Sequence, residues 1–245
     1  MPGATAHDIV RFVTDRDLIV AHSSDLHIGA GTMIDEFHPL CRVLASAKEA
    51  SAEVLILAGD VFDHNRLPLS VLDRTARLFH DSSMTVVILP GNHDCITPDS
   101  VYRRGGLGQV PGVHIIGLDS ESFTFAEHDL QVWGKAHFDY ENLSPLSDPQ
   151  PRAARWQIVA AHGHYFAGPD DVHRGWLFDD AELDATEADY VALGHWPRAT
   201  TVGGGKVQAH YCGSPDLAET INVARFSGDG SVNVSRHPLA ARRDA

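Results

Sequence analysis

Three short apolar runs, "LIVAH" (18–22), "VLILA" (54–58) and "TVVIL" (85–89), each give way at once to polar residues and glycine. Runs this short, with no polar residue alternating through them, are strands buried on both faces of a sheet. Helical patterns separate them. Leu40, Val43, Leu44 and Ala47 recur at i, i+3, i+4 and i+7 between the first two, and Leu69, Leu72, Ala76 and Phe79 keep to one helical face between the next two, with Pro68 near a helix start. The order is therefore βαβαβ, which predicts parallel strands joined by right-handed crossovers.

Past residue 110 the rhythm becomes strand-rich. Strands are expected at 113–117, 122–126, 130–134, 157–161, 190–194 and 206–211, followed by a hairpin, "INVARFSGDGSVNVSR", that turns at Gly-Asp-Gly. Pro- and Asp-rich stretches at 144–151 and 168–184 read as loops or short helices. No repeat or low-complexity linker marks a boundary. The expectation is an N-terminal extension (1–17), one domain of two packed sheets (18–238) and a C-terminal tail (239–245).

The chain's 245 residues, 43% of them hydrophobic, suffice for a sizeable core. No stretch is apolar for long enough to span a membrane, and the opening residues carry charges where a signal peptide has its apolar centre. Three cysteines, Cys41, Cys95 and Cys212, form neither an even disulfide set nor a paired zinc motif, which suits a reducing compartment. The chain reads as cytoplasmic. Its net charge of −14 argues against a broad basic face for duplex nucleic acid. A phosphate substrate is compatible with that charge, because clustered carboxylates hold hard cations that invert the local field.

The chemistry collects just after the strands. Asp25 and His27 follow the first run, Asp60 the second, Asn92 and His93 the third; His162 and His164 follow "QIVAA", and His195 follows "YVALG". Loops at the carboxyl ends of parallel strands share one edge, where ligands bind. The steps from Asp25 to Asp60 (35 residues) and from Asp60 to Asn92 (32 residues) each match one βαβ unit. Carboxylate, imidazole and amide oxygen without thiolate make a ligand mix for Mn²⁺, Fe or Zn²⁺, with Mn²⁺ favoured by the oxygen content. Asp60 is the candidate to bridge two such ions.

Together "SSDLH", "GDVFD", "GNHD", "AAHGH" and "LGHW" resemble the calcineurin-like metallophosphoesterase superfamily, and "YCGSP" (211–215) with the terminal hairpin is similar to its SbcD-like DNA double-strand-break repair nuclease branch. The resemblance implies an α/β fold, a four-layer αββα sandwich of two mixed β-sheets flanked by helices, with two divalent metal ions at the strands' carboxyl ends. It implies that Asp25 and His27 bind the first ion, that Asp60 bridges, and that Asn92, His162 and His195 bind the second. His93 would protonate the leaving oxygen or stabilise the transition state, with Asp94 orienting it; Trp196 and Arg198, which adjoin His195 in sequence, are the candidates to contact substrate. The implied activity is hydrolysis of a phosphate ester, most readily a phosphodiester in a nucleotide or nucleic acid, by water activated on the metals.

Two departures qualify this. The family motif Gly-His-x-His ends here in Pro197, so the first ion has lost a protein ligand, for which His164, His210 and His64 are candidate substitutes. The repair nucleases also carry a DNA-binding cap and a tail for an ATPase partner; the short C-terminal end lends that partner no support. The competing reading is a regulatory or scaffold protein of the same fold with one metal site impaired by Pro197.

Overall fold

The computed structural model describes residues 16–31, 37–118 and 120–241, so most of the expected N-terminal extension lies outside the described residues. In chain order the strands are β1 (Leu18–Ser23), β2 (Val54–Ala58), β3 (Thr85–Leu89), β4 (Val113–Ile115), β5 (Ser122–Phe125), β6 (Leu130–Gly134), β7 (Trp156–His162), β8 (His164–Tyr165), β9 (Leu177–Phe178), β10 (Tyr190–Gly194), β11 (Thr200–Val202), β12 (Ala209–Tyr211), β13 (Thr220–Phe226) and β14 (Val232–Pro238). Helix α1 (His38–Glu49) joins β1 to β2, and α2 (Leu69–Ser82) joins β2 to β3.

The strands form two six-stranded mixed sheets, ordered β14-β13-β1-β2-β3-β4 and β11-β12-β10-β7-β6-β5. Pairing from β1 through β4 is parallel, as the βαβαβ order requires, and the terminal hairpin adds β13 antiparallel to β1. In the second sheet β6, β7, β10 and β12 run parallel.

Side-chain alternation divides the interior into three apolar layers. Val20, Val54, Ile56, Val87 and Leu89 face the other sheet and meet Leu130, Val132, Ile158, Ala160, Tyr190 and Ala192. Their neighbours Ala21, Leu55, Leu57, Val86 and Ile88 face outward onto α1 and α2. Both faces of the first sheet are thereby covered, which is why its strands read as unbroken apolar runs. On the outside of the second sheet Val159, Ala161, Val191 and Leu193 are covered by Leu146, Phe178 and Leu183. That fourth layer is thin, made of loops and one six-residue helix, Asp180–Ala185, begun by an Asp179–Glu182 capping box.

Some boundaries differ from the sequence expectation. Strand β12 starts at Ala209 rather than Lys206, because the Gly203–Lys206 segment is drawn to the carboxylates of Asp180 and Asp184 through the amides of Gly204, Lys206 and Val207. Leu69 is exposed at the first turn of α2, whose buried face is Val71, Leu72, Thr75 and Phe79. At the other end of the chain Leu239 is buried and Ala240 bonds to Ser46 and Arg42 of α1. Among the described residues no helix is long and apolar enough to cross a membrane.

Candidate metal centre

Three candidate loops leave the first sheet, after β1, β2 and β3, and two leave the second, after β7 and β10. The expectation of one shared sheet edge is therefore replaced by two edges facing one another. They meet closely: a Cβ on Gly59 would stand 2.0 Å from His162 Nδ1, and one on Gly194 would stand 1.9 Å from the Ala58 carbonyl. Only glycine fits at either place, and Gly59 also has a φ of +93°. Beyond β1 and β2 the chains stay paired, with Asp25 N donating to Gly59 O (3.0 Å), His27 N to Asp60 O (3.1 Å) and Ile28 N to Val61 O (2.9 Å).

Four of the candidate ligands sit in the left-handed region: Asp25 (φ 55°), His27 (47°), Asp60 (52°) and His195 (96°). Each costs on the order of 1 kcal/mol or more, and such conformations persist where surrounding structure over-determines them, commonly at functional sites. Their positive φ values turn the backbone so that polar side chains leave the strand ends toward the gap between the sheets.

Asp25, Asp60 and His162, all buried, bring donor atoms within 4.8 Å of one another. His162 Nε2 lies 3.1 Å from both Asp60 Oδ2 and Asn92 Oδ1. Its Nδ1 faces the Ala58 carbonyl at 2.9 Å, a bond that fixes the Nδ1–H and aims Nε2 at the carboxylates. His195 enters through its backbone N–H, which donates to Asp25 Oδ2 (3.1 Å), and its ring packs 5.3 Å from that of His162. His93 N donates to Asp60 Oδ1 at 2.9 Å. Of the eight residues assigned to metal or chemistry, the structure thus joins Asp25, Asp60, Asn92, His162 and His195 in one group.

His27 and His93 form a second, half-exposed group with Asp63, again with donor atoms within 4.8 Å. The Asp63 carboxylate lies 3.1 Å from His27 Nδ1, while its main-chain carbonyl accepts from His93 Nδ1 at 2.9 Å. One residue therefore turns the Nε2 of both histidines outward. Asp63 closes the "GDVFD" motif, and its partners come from two other loops.

Asp94 is placed differently from the expectation. Its carboxylate is fully buried and accepts from Gly91 N (2.7 Å), Phe62 N (3.1 Å) and the Tyr102 hydroxyl (2.6 Å). It braces the loops after β2 and β3, and the residue bonded to His93 is Asp63. Burial, reinforced by the Asp60 charge, pushes Asp94 up to about 6.

Each of the three histidines considered as substitutes for a ligand at Pro197 has a ring nitrogen bonded elsewhere, and His164 has both. His64 Nδ1 accepts from Arg66 N, and His210 stacks on Tyr190 and bonds Thr201, opposite Ala192 in mid-sheet. His164 bonds Asp171 and Trp196. The Trp196 ring stacks on Tyr211 at 4.4 Å and 5°, so one indole face is taken. Arg198 is exposed, without a hydrogen bond or ion pair among the described residues.

Electrostatically the buried group is built around cation demand. Burial raises Asp25, with Asp60 adding to the shift. Burial also opposes ionisation of Asp60, but the adjacent His162 outweighs it and holds that carboxyl well below its usual range. His162 in turn is raised to about 9 by Asp60 despite its burial. In the metal-free chain a proton on His162 thus supplies the positive charge two buried carboxylates require, and a divalent ion would supply the same. Carboxylate oxygen, amide oxygen and imidazole nitrogen, all converging and free of thiolate, fit such an ion.

Comparison with known proteins agrees with this geometry. A match to the family described as "Calcineurin-like phosphoesterase" covers residues 18–199. The SbcD component of the nuclease SbcCD from Bacillus subtilis (strain 168) is 25% identical over 257 residues, spanning 85% of this chain and 64% of that one. The Escherichia coli (strain K12) protein of the same name is 22% identical over 247 residues, spanning 80% and 60%. The DNA double-strand break repair protein Mre11 of Methanopyrus kandleri matches a shorter stretch, 29% identical over 107 residues, or 36% of this chain and 23% of that one. The alignments with the two SbcCD proteins take in less than two thirds of those proteins' length. Among solved structures, TT1561 of Thermus thermophilus superposes with a TM-score of 0.61 at 10% identity, covering 90% of this chain and 99% of that one, which shows a shared fold. With its strand-end carboxylates and imidazoles, its two facing sheets and a match running from the first residue of β1 past the His195 turn, the chain belongs to the calcineurin-like phosphoesterase family.

Proposed function

We propose that this phosphoesterase hydrolyses a phosphodiester in a nucleotide or nucleic acid at a centre of two divalent ions, Mn²⁺ by preference. The observation that carries the reading is the buried convergence of Asp25, Asp60 and His162 with Asn92 and His195 beside them. Asp25, His27 and Asp60 would hold the first ion, and Asp60, Asn92, His162 and His195 the second. When bound, the ions supply charge neutralisation at the phosphoryl oxygens and a lowered pKa for the attacking water.

The chain's own residues do the rest. Asp63 holds His93 through its Nδ1, leaving Nε2 to deliver a proton to the leaving oxygen. Asn92 Oδ1, held 3.1 Å from His162 Nε2, would offer its oxygen to the second ion. Arg198, exposed three residues beyond His195, is available to a substrate phosphate. The names of the relatives, a component of a nuclease and a double-strand break repair protein, support a nucleic acid substrate and leave open for this chain a partner of the kind an SbcCD component has. The three cysteines form no disulfide and two of them are buried, which agrees with a cytoplasmic location.

The purified chain with added Mn²⁺ is expected to hydrolyse bis-p-nitrophenyl phosphate faster than p-nitrophenyl phosphate. Asn92→Ala and His93→Ala should each lower kcat by about 10²-fold or more. Absence of turnover on both esters, with the variants indistinguishable from wild type, would refute the catalytic reading.

A further inference from the structure

His164 has both ring nitrogens engaged, and its partners dictate its tautomer. The Trp196 indole N–H, which can only donate, points to His164 Nδ1 at 2.9 Å. Nδ1 must therefore carry the lone pair, and the proton sits on Nε2, which donates to Asp171 Oδ1 at 3.1 Å. Asp171 is itself fixed, its other oxygen accepting from Ala167 N at 2.9 Å. The far side of Trp196 is fixed as well: its ring lies flat on Tyr211, whose hydroxyl donates to Gly163 O (2.8 Å) and accepts from Tyr165 N (3.0 Å).

Trp196 immediately follows His195, the residue with a φ of +96°. The remainder of that turn is secured by Ser214 N donating to the Pro197 carbonyl at 3.1 Å. Where the family motif carries a second histidine, the turn would be tied at both ends to metal. Here Pro197 offers no donor atom, and the tie runs through the indole instead.

We propose that the chain Asp171–His164–Trp196 is a positioning device that holds the His195 turn in its left-handed conformation, presenting the imidazole to a cation before any ion binds. This rests on His195 being a ligand of the second ion. His164 acts through its bond to Trp196 and through the edge of its ring, which packs 6.4 Å from that of His195, and it is assigned no contact with ion or substrate. The site containing Asn92, His162 and His195 is thereby preorganised by protein contacts, and it fills first; the site lacking a ligand at Pro197 fills second and more weakly.

Mn²⁺ binding to the chelator-stripped full chain, followed by the electron paramagnetic resonance signal of free Mn²⁺, reads both sites without reference to turnover. Wild type is expected to show one tight and one weaker site. His164→Ala should weaken the tight site about tenfold, as loss of a group orienting a ligand from outside does, and leave the weak site within twofold. Trp196→Phe, which keeps the stack on Tyr211 but loses the N–H, should weaken the tight site at least threefold. His164→Gln can accept from Trp196 and donate to Asp171, and should restore affinity to within threefold of wild type; a residue serving stability alone would give no such rescue at one site. Melting of each metal-free variant establishes that it is folded. Unchanged tight-site affinity in both His164→Ala and Trp196→Phe would overturn the positioning role while the centre itself stands. Absence of Mn²⁺ binding by wild type would remove the centre and the device together.

Discussion

His22 shows how a single residue between the sheets couples this fold to pH. It lies on β1, fully buried, with Nδ1 2.9 Å from the Tyr190 hydroxyl of β10. Burial first, and the neighbouring His210 second, push its pKa down to about 3 from an ordinary 6.5. Above about pH 6.5 the ring is neutral folded or unfolded and contributes no slope. Between about 6.5 and 3 the unfolded chain takes a proton that the folded chain refuses, so stability falls as pH is lowered, by at most about 1.4 kcal/mol per pH unit from this group. Urea unfolding of the metal-free protein should therefore show a larger drop from pH 7.5 to 5.0 in wild type than in His22→Gln; equal drops would mean His22 takes up no proton on unfolding. At this scale much of the candidate centre was legible. Asp25, Asp60, Asn92, His162 and His195 each follow an apolar strand, and strand ends are where backbone direction leaves little choice. Asp94 was harder to read, since adjacency suggested that it serves His93. Its side chain in fact points inward to Tyr102, and the residue that reaches His93 comes from another loop.

Between the elements, the loops after β2 and β3 keep their shape through Asp94. Three donors converge on one buried carboxylate, two of them backbone N–H groups. Asp94→Ala would leave all three unsatisfied, at a cost of about 3 kcal/mol or more, whereas Tyr102→Phe removes one hydrogen bond and should cost about 1–2 kcal/mol. The urea midpoints of the two variants compare them directly, and an Asp94→Ala loss no larger than that of Tyr102→Phe would show the carboxylate is no brace. Elements built by local pattern were readable in advance: α1 and α2 have apolar faces at helical spacing, and β1, β2 and β3 are covered on both sides. Elements built by distant contacts were not. Strand β11 is three residues long and mostly exposed, and it exists because it pairs with β12; β8 and β9 are two residues each and exist by pairing with one another. No periodicity can announce a strand that short.

For the whole molecule, the decisive quantity is the negative charge concentrated between the sheets. A chain of net charge −14 keeps Asp25 and Asp60 buried at the junction of its two sheets and Asp94 buried among the loops of the first. Without an ion, a proton on His162 offsets part of that charge, and Asp25 and Asp94 are both shifted toward their protonated forms. A divalent cation bound only by the folded chain stabilises it by mass action, by about 2.7 kcal/mol at a concentration 100-fold above Kd. For a domain of this size that corresponds to a rise in Tm of roughly 5–10 °C. Mn²⁺ added to the chelator-treated protein should produce such a rise, and Asp60→Asn, which removes the carboxylate common to both proposed ion sites, should abolish most of it. The size of the shift also reports the order of filling. The first equivalent should account for most of the rise, because the preorganised site draws residues from both sheets, whereas the site proposed on Asp25, His27 and Asp60 draws its residues only from loops of the first. A rise spread evenly over two equivalents would show that the sites are matched in strength despite Pro197, and coincident melts with and without Mn²⁺ would show that the buried carboxylates hold no ion at all.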